Sequence, residues 1–84
     1  MIDARKAAMA AQEYLKSVYP ETQFQNLQLE EVELTDDQKF WLITFSFISP
    51  GAMVFVHPIP KDYKLFKIRA DNGEVISMKI RQVK

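Results

Sequence analysis

The spacing of apolar residues changes once along this 84-residue chain, and that change constrains the fold more than any other feature. Up to Val18 the apolar side chains recur at the three- and four-residue intervals of a helix. From Phe24 onward they alternate with polar side chains, which places successive residues on opposite faces of a strand. One helix followed by several strands predicts a single α+β domain over residues 1–84.

The helix is predicted over residues 3–19. Asp3 is the expected N-cap, because its side-chain oxygens can accept hydrogen bonds from the free amides of the first turn. Pro20 ends the helix, since the residue before a proline is pushed out of the helical backbone region. The apolar stripe is mostly alanine, which lets a helix lie close to a sheet. It consists of Ala4, Ala8, Ala11, Leu15 and Val18, widened by Ala7 and Tyr14.

Four strands are predicted after the helix. They cover residues 24–34, 39–48, 62–70 and 74–83, with a long, apolar loop at 49–60. The first strand holds two alternating sets that are out of phase around Glu30 and Glu31, which predicts a β-bulge. Residues 35–38 have the composition of a turn, and the run Asp71-Asn72-Gly73 predicts a tight hairpin turn because Asn and Gly accept positive φ. These connections favour a four-stranded antiparallel meander with the N-terminal helix packed on it.

Part of the chain resembles the PepSY family and its cystatin-like relatives. The resemblance lies in the strand Phe40-Trp41-Leu42-Ile43-Thr44-Phe45 and in Tyr63-Lys64-Leu65-Phe66-Lys67-Ile68. It continues through Arg69-Ala70-Asp71-Asn72-Gly73-Glu74-Val75-Ile76, so that it covers mainly residues 39–80. It implies a small domain with one helix on an antiparallel sheet. Such domains are mostly secreted or membrane-associated, and some are linked to peptidase inhibition. The Gln-x-Val-x-Gly pattern of the cystatin inhibitory loop does not occur in this sequence.

Catalytic chemistry finds little support in the composition. The chain has no cysteine, which excludes disulfides and thiolate metal sites. His57 is the one histidine, and it lies between apolar and proline residues with no serine in a nucleophile-elbow pattern. Two glycines, Gly51 and Gly73, are too few for a phosphate-binding loop. The acidic run from Glu30 to Asp37 is interpreted as a solvated edge of the sheet. We therefore predict no enzyme and no catalytic, metal or cofactor residues.

Charge is distributed unevenly although the formal net charge is zero. Acidic residues predominate in residues 1–60 and basic residues in residues 61–84. A sequence pI of about 6.6 argues against a nucleic-acid module, which is normally basic overall.

The N-terminal stretch lacks the continuous apolar core of a signal peptide, and no apolar run is long enough for a membrane span. The expected location is the cytoplasm, without membrane contact.

One face of the predicted sheet is a candidate interaction surface. We expect the helix to cover Trp41, Phe45, Phe66, Ile68, Ile76 and Met78. The opposite face then combines apolar and basic side chains, which is typical of interfaces. The candidate surface consists of Phe40, Leu42, Tyr63, Leu65, Lys67, Arg69, Lys79 and Arg81, together with Met53 and Phe55 from the long loop.

Three functions remain open from the sequence. The first is a non-enzymatic protein-binding module, of inhibitor, immunity or self-associating type, whose partner is another protein or a second copy in a homodimer. The second is single-stranded nucleic-acid binding on the basic and aromatic sheet face. The third is small-molecule binding under loop 49–60, which predicts a sizeable cavity between helix and sheet.

Overall fold

A computed structural model of the protein describes residues 1–19, 25–48 and 61–81. It contains one helix, α1, and a single four-stranded sheet in the order β1-β2-β3-β4, with every neighbouring pair antiparallel. This confirms the predicted α+β architecture and meander. The elements are α1 (Ala4–Val18), β1 (Gln25–Leu34), β2 (Phe40–Ile48), β3 (Asp62–Arg69) and β4 (Val75–Ile80). Loop 49–60, and with it Met53, Phe55 and His57, lies outside the described residues.

The ends of helix α1 are set by the N-cap Asp3 and by Tyr19, which precedes Pro20. The Asp3 side chain accepts a hydrogen bond of 2.8 Å from the Lys6 amide, which confirms the predicted N-cap. At the other end Tyr19 has an extended backbone, with φ −122° and ψ 137°, as expected for the residue before Pro20. The N-terminus is also tied to the sheet, because the Ile2 amide donates to the Ala70 carbonyl at 2.7 Å. Helix and sheet are therefore fixed together at this end.

The core lies between α1 and the two central strands. Ala7, Ala11 and Leu15, four residues apart, are fully buried on the sheet-facing side of the helix. They pack in one cluster with four sheet residues, Ile43, Phe45, Phe66 and Ile68. Val18 was expected to continue this stripe, but it is 47% exposed because the core cluster ends at Leu15, one turn earlier.

The predicted bulge in β1 is confirmed. Leu29 pairs with Phe45 and Glu31 with Thr44, so Glu30 is the extra residue that brings both alternating sets onto one face. Leu29 and Val32 nevertheless remain 48% and 38% exposed. Strand β1 is the edge of the sheet, and a single helix packed on the central strands covers it only in part.

The β3–β4 hairpin corrects one prediction. Gly73 has the expected positive φ of 79°, but the pairing of β3 with β4 has a register shift between Lys67 and Ile68. As a result Val75, not Ile76, pairs with Ile68 beside the core, and Ile76 is 48% exposed. The prediction that the helix covers Ile76 is wrong, because alternation counted from Met78 did not allow for the bulge.

Candidate functional site: the outer face of the sheet

The sheet face opposite α1, here called the outer face, collects the predicted interaction residues. Directly paired residues on neighbouring strands share a face, so the observed register aligns them in rows across the sheet. The first row contains Glu33, Leu42, Lys67 and Ser77, and the second contains Glu31, Thr44, Leu65 and Lys79. A third contains Gln28, Ser46, Tyr63 and Arg81, whose amide donates to the Tyr63 carbonyl at 2.9 Å.

Apolar side chains share the two central strands of the outer face with polar ones. Phe40 and Leu42 of β2 and Tyr63 and Leu65 of β3 are all half-buried, so part of each side chain remains accessible. The Lys67 ammonium nitrogen lies 4.2 Å from the centre of the Phe40 ring, a cation–π contact. These five predicted residues thus form one continuous surface. Met53 and Phe55, predicted to join it, lie outside the described residues.

Charge changes sign across this face. Strand β1 carries Glu31 and Glu33 at one edge, whereas Lys79 and Arg81 lie at the β4 edge. The meander order therefore places opposite charges at the two edges of the outer face. Glu33 and Lys79 are exposed and form no ion pair with any other described residue, so both charges face solvent.

Arg81 links the two edges of the sheet. Its guanidinium donates to the Thr44 hydroxyl at 2.8 Å and forms an ion pair with Glu31 on β1. Thr44 is 1% exposed although it points away from the helix. Its neighbour Ser46 is fully buried on the same face and donates to the Glu30 carboxylate at 2.6 Å. Sequence reasoning missed this polar cluster, since alternation marks the face of a residue but not a contact between residues 37 positions apart.

Arg69 is held by its own hairpin. Its guanidinium makes two hydrogen bonds to Asp71, of 3.2 Å from Nε and 2.8 Å from Nη2. The Arg69 side chain lowers the pKa of Asp71 through this contact, so the carboxylate stays ionised. Arg69 was predicted as part of the interaction surface, and it lies on the outer face with its charge already paired.

A groove of about 550 Å³ opens at the hairpin end of the sheet. Phe40 and Arg69 of the outer face line it together with Met1 and Ile76. Ile76, displaced from the core by the β4 bulge, therefore adds apolar surface beside Phe40. The small-molecule hypothesis placed its cavity under loop 49–60, between helix and sheet, and that loop lies outside the described residues.

Acidic side chains do not form a metal site in the part of the chain that the structure describes, where no three His, Asp or Glu residues converge. Asp37, which belongs to the acidic run, accepts hydrogen bonds within the β1–β2 turn. It accepts hydrogen bonds from the Thr35 hydroxyl at 2.6 Å and from the Lys39 amide at 3.0 Å. The Thr35 hydrogen bond, and to a smaller extent the Lys39 hydrogen bond, lowers the pKa of Asp37.

No helix in the described ranges could cross a membrane, because α1 is too short and too polar.

Comparison with known proteins returned no relative. No family model, no curated protein and no solved structure matches this chain. The geometry of the outer face is therefore the basis for a functional proposal.

Proposed function

We propose that this protein is a non-enzymatic protein-binding module whose outer face binds a partner protein. The observation that carries the proposal is the composition of that face. Four half-buried apolar side chains lie on its two central strands, and charged side chains lie at both edges. An apolar centre with a polar rim is how protein–protein interfaces are usually built. An inhibitor or immunity-type role belongs to this class of function.

Single-stranded nucleic-acid binding is less well supported. Of its four proposed cations, Arg69 and Arg81 are paired with carboxylates, and Lys67 lies over Phe40. Phosphate binding depends on free cations, so Lys79 would supply most of the attraction. The glutamates of β1 at the other edge would repel a phosphate backbone. These contacts favour a protein partner.

The resemblance to PepSY-like and cystatin-like domains stays a prediction. It is supported by the architecture that those domains share, one helix on an antiparallel sheet. A cytoplasmic location is also part of the proposal, because small exported domains commonly depend on disulfides and this chain has no cysteine.

Site-specific photo-crosslinking in the native cell tests the proposal. One variant carries p-benzoylphenylalanine in place of Leu42, at the centre of the outer face. A matched control carries it in place of Met9, which is 54% exposed on α1. We expect a discrete light-dependent protein adduct from position 42 that position 9 does not give.

Two results would contradict a protein-binding outer face. One is the absence of any adduct at position 42 while the variant keeps the circular dichroism spectrum of the parent. The other is tight binding of a labelled single-stranded oligonucleotide that weakens steeply with salt and is lost in Lys79→Glu, which would favour nucleic acid.

A further inference from the structure

The two edges of the sheet differ in how regularly their backbones are paired. At one edge, β1 is interrupted by two register shifts and carries three glutamates of the acidic run. Irregular pairing and charged side chains are common ways in which proteins keep an edge strand from pairing with a further strand. At the other edge, β4 pairs with β3 without a shift from Ser77 to Ile80, and Lys79 is its one charged residue. Among the described strands, β4 therefore presents the regular open edge.

The backbone hydrogen-bonding groups of β4 alternate between the two sides of the strand. The Arg81 amide donates to the Tyr63 carbonyl of β3 at 2.9 Å. In an antiparallel pair every second residue bonds to the same neighbouring strand, so Lys79 also bonds to β3. Met78 and Ile80, the alternate residues, then direct their amide and carbonyl groups to the open edge. No described strand pairs with these four groups.

The side chains at this edge specify what an added strand must carry. Met78 lies on the helix side of the sheet, because it pairs with the core residue Phe66, and Ile80 is two positions further along the same side. Ile80 is 76% exposed, so most of its apolar surface is uncovered. Lys79 is exposed on the outer face and forms no ion pair with any described residue. An antiparallel strand beside β4 is thus best matched by apolar side chains opposite Met78 and Ile80 and a carboxylate opposite Lys79.

A second copy of this chain fits the edge poorly. In the antiparallel register that pairs Met78 with Ile80 of another β4, Lys79 lies directly opposite Lys79 of that copy. Like charges in this position destabilise a pair of strands. Lys79 therefore disfavours self-pairing through β4 and favours an acidic strand from another protein.

We infer that the open edge of β4 binds an extended segment of another protein, with the side-chain pattern apolar–acidic–apolar, as a fifth antiparallel strand. The inference goes beyond the proposed function, because it uses the edge of the sheet and not the outer face. In strand addition of this kind, backbone hydrogen bonds supply affinity and the opposed side chains supply selectivity. A contact of about three residues with one ion pair predicts a weak complex that weakens further with added salt.

Titration with a synthetic peptide tests the inference. The probe is the capped peptide acetyl-Thr-Val-Glu-Val-Thr-amide, and the backbone amide signals of the isotope-labelled full chain report its binding by NMR. We expect the Met78 and Ile80 amides to shift most and to exchange more slowly with solvent, because they gain hydrogen bonds. The Lys79 amide, which is already bonded to β3, should keep its exchange rate.

Matched peptides and variants separate backbone pairing from charge. A peptide that is N-methylated at both valine amides cannot donate to β4 and should not bind. Lys79→Glu turns an attractive cross-strand pair into a repulsive one, so we expect a dissociation constant for the glutamate peptide that is about 2- to 30-fold higher. The same variant should bind the peptide with lysine in place of glutamate more tightly than the parent does. Lys6→Glu, which makes the same charge change on an exposed position of α1, should leave both constants unchanged.

Three results would overturn the inference. The first is unchanged Met78 and Ile80 amides at millimolar peptide. The second is equally tight binding of the N-methylated and unmethylated peptides, which would exclude backbone pairing. The third is equal affinity of the parent for the glutamate and lysine peptides, which would exclude an acidic partner strand. The position-42 adduct remains the separate test of the outer face, so the proposed function and this inference can fail independently.

Discussion

Phe66 is the residue on which the helix and the sheet depend most, and replacing it tests the packing described above. It is fully buried at the centre of β3, between Ile43 on one side and Met78 on the other. Its ring meets Phe45 edge to face at a centroid distance of 6.0 Å, and it meets Tyr14 of α1 in the same way at 6.5 Å. Phe66→Ala removes the ring, whereas Phe66→Leu keeps much of the apolar volume and removes the aromatic contacts.

The two variants should lower the free energy of unfolding by different amounts. Large-to-small replacement of a buried phenylalanine costs about 3–5 kcal/mol, because transfer energy is lost and a cavity remains. Each edge-to-face pair contributes about 0.5–1.5 kcal/mol beyond burial, so Phe66→Leu should cost about 1–3 kcal/mol. A protein of 84 residues has a free energy of unfolding of about 4–13 kcal/mol. Phe66→Ala should therefore leave a marginally stable protein, while Phe66→Leu remains folded and measurable.

Urea denaturation followed by fluorescence of Trp41, the one tryptophan, gives these free energies of unfolding. Ile80→Ala is the matched control, because Ile80 is 76% exposed and its truncation should change stability by less than about 0.5 kcal/mol. A Phe66→Leu variant as stable as the parent would refute the assignment of Phe66 to the shared core. So would an Ile80→Ala effect equal to that of Phe66→Ala.

Three further predictions concern local contacts. Asp3→Ala removes the acceptor at the start of α1 and should lower the free energy of unfolding by about 1 kcal/mol in urea titrations, whereas Asp3→Asn should have little effect. Gly73→Ala places a side chain at φ 79° and should cost about 1 kcal/mol by the same assay. The pKa of Asp37 is lowered from 3.8 by the Thr35 hydroxyl, so its contribution to stability is present above that pH and is lost as the pH falls through the folded-state pKa. Thermal unfolding between pH 6 and pH 2 should therefore show a smaller acid destabilisation in Asp37→Asn than in the parent.

Each of these predictions has an outcome that contradicts it. An Asp3→Ala variant as stable as the parent would show that the cap is dispensable. A Gly73→Ala variant as stable as the parent would mean that the turn accepts another backbone conformation. Identical acid transitions for the parent and Asp37→Asn would mean that the Thr35 hydrogen bond does not persist in solution.

Much of the fold follows from residues that act on their nearest neighbours. The Asp3 side chain caps α1 by accepting a hydrogen bond from an amide three residues away. Pro20 forces Tyr19 out of the helical backbone region, and Gly73 accepts the positive φ of its turn. The bulge at Glu30 was also predictable, because two alternating sets that are out of phase by one residue can share a face only if one residue is extra. Each of these features depends on backbone geometry over a few residues, which the sequence displays directly.

Side-chain placement at the sheet edges depended on the tertiary structure. The β4 bulge moved Ile76 into the groove and brought Val75 beside the core, although the local pattern favoured the reverse. Alternation alone cannot show which strand of a hairpin absorbs an extra residue. That depends on how the hairpin pairs and packs.

On the outer face, too, some features follow from the sequence and others only from the folded chain. Alternation alone placed Leu42 and Leu65 on that face, and the meander order placed acidic and basic strands at its two edges. Only the folded chain shows that Arg81 reaches across to Thr44 and pairs with Glu31, 50 residues away, while Lys79 remains unpaired among the described residues. The sequence determined which residues share a face, because strand periodicity is local. The tertiary structure decided which charges are paired within the described residues and which face solvent, because that depends on distances between residues far apart in sequence.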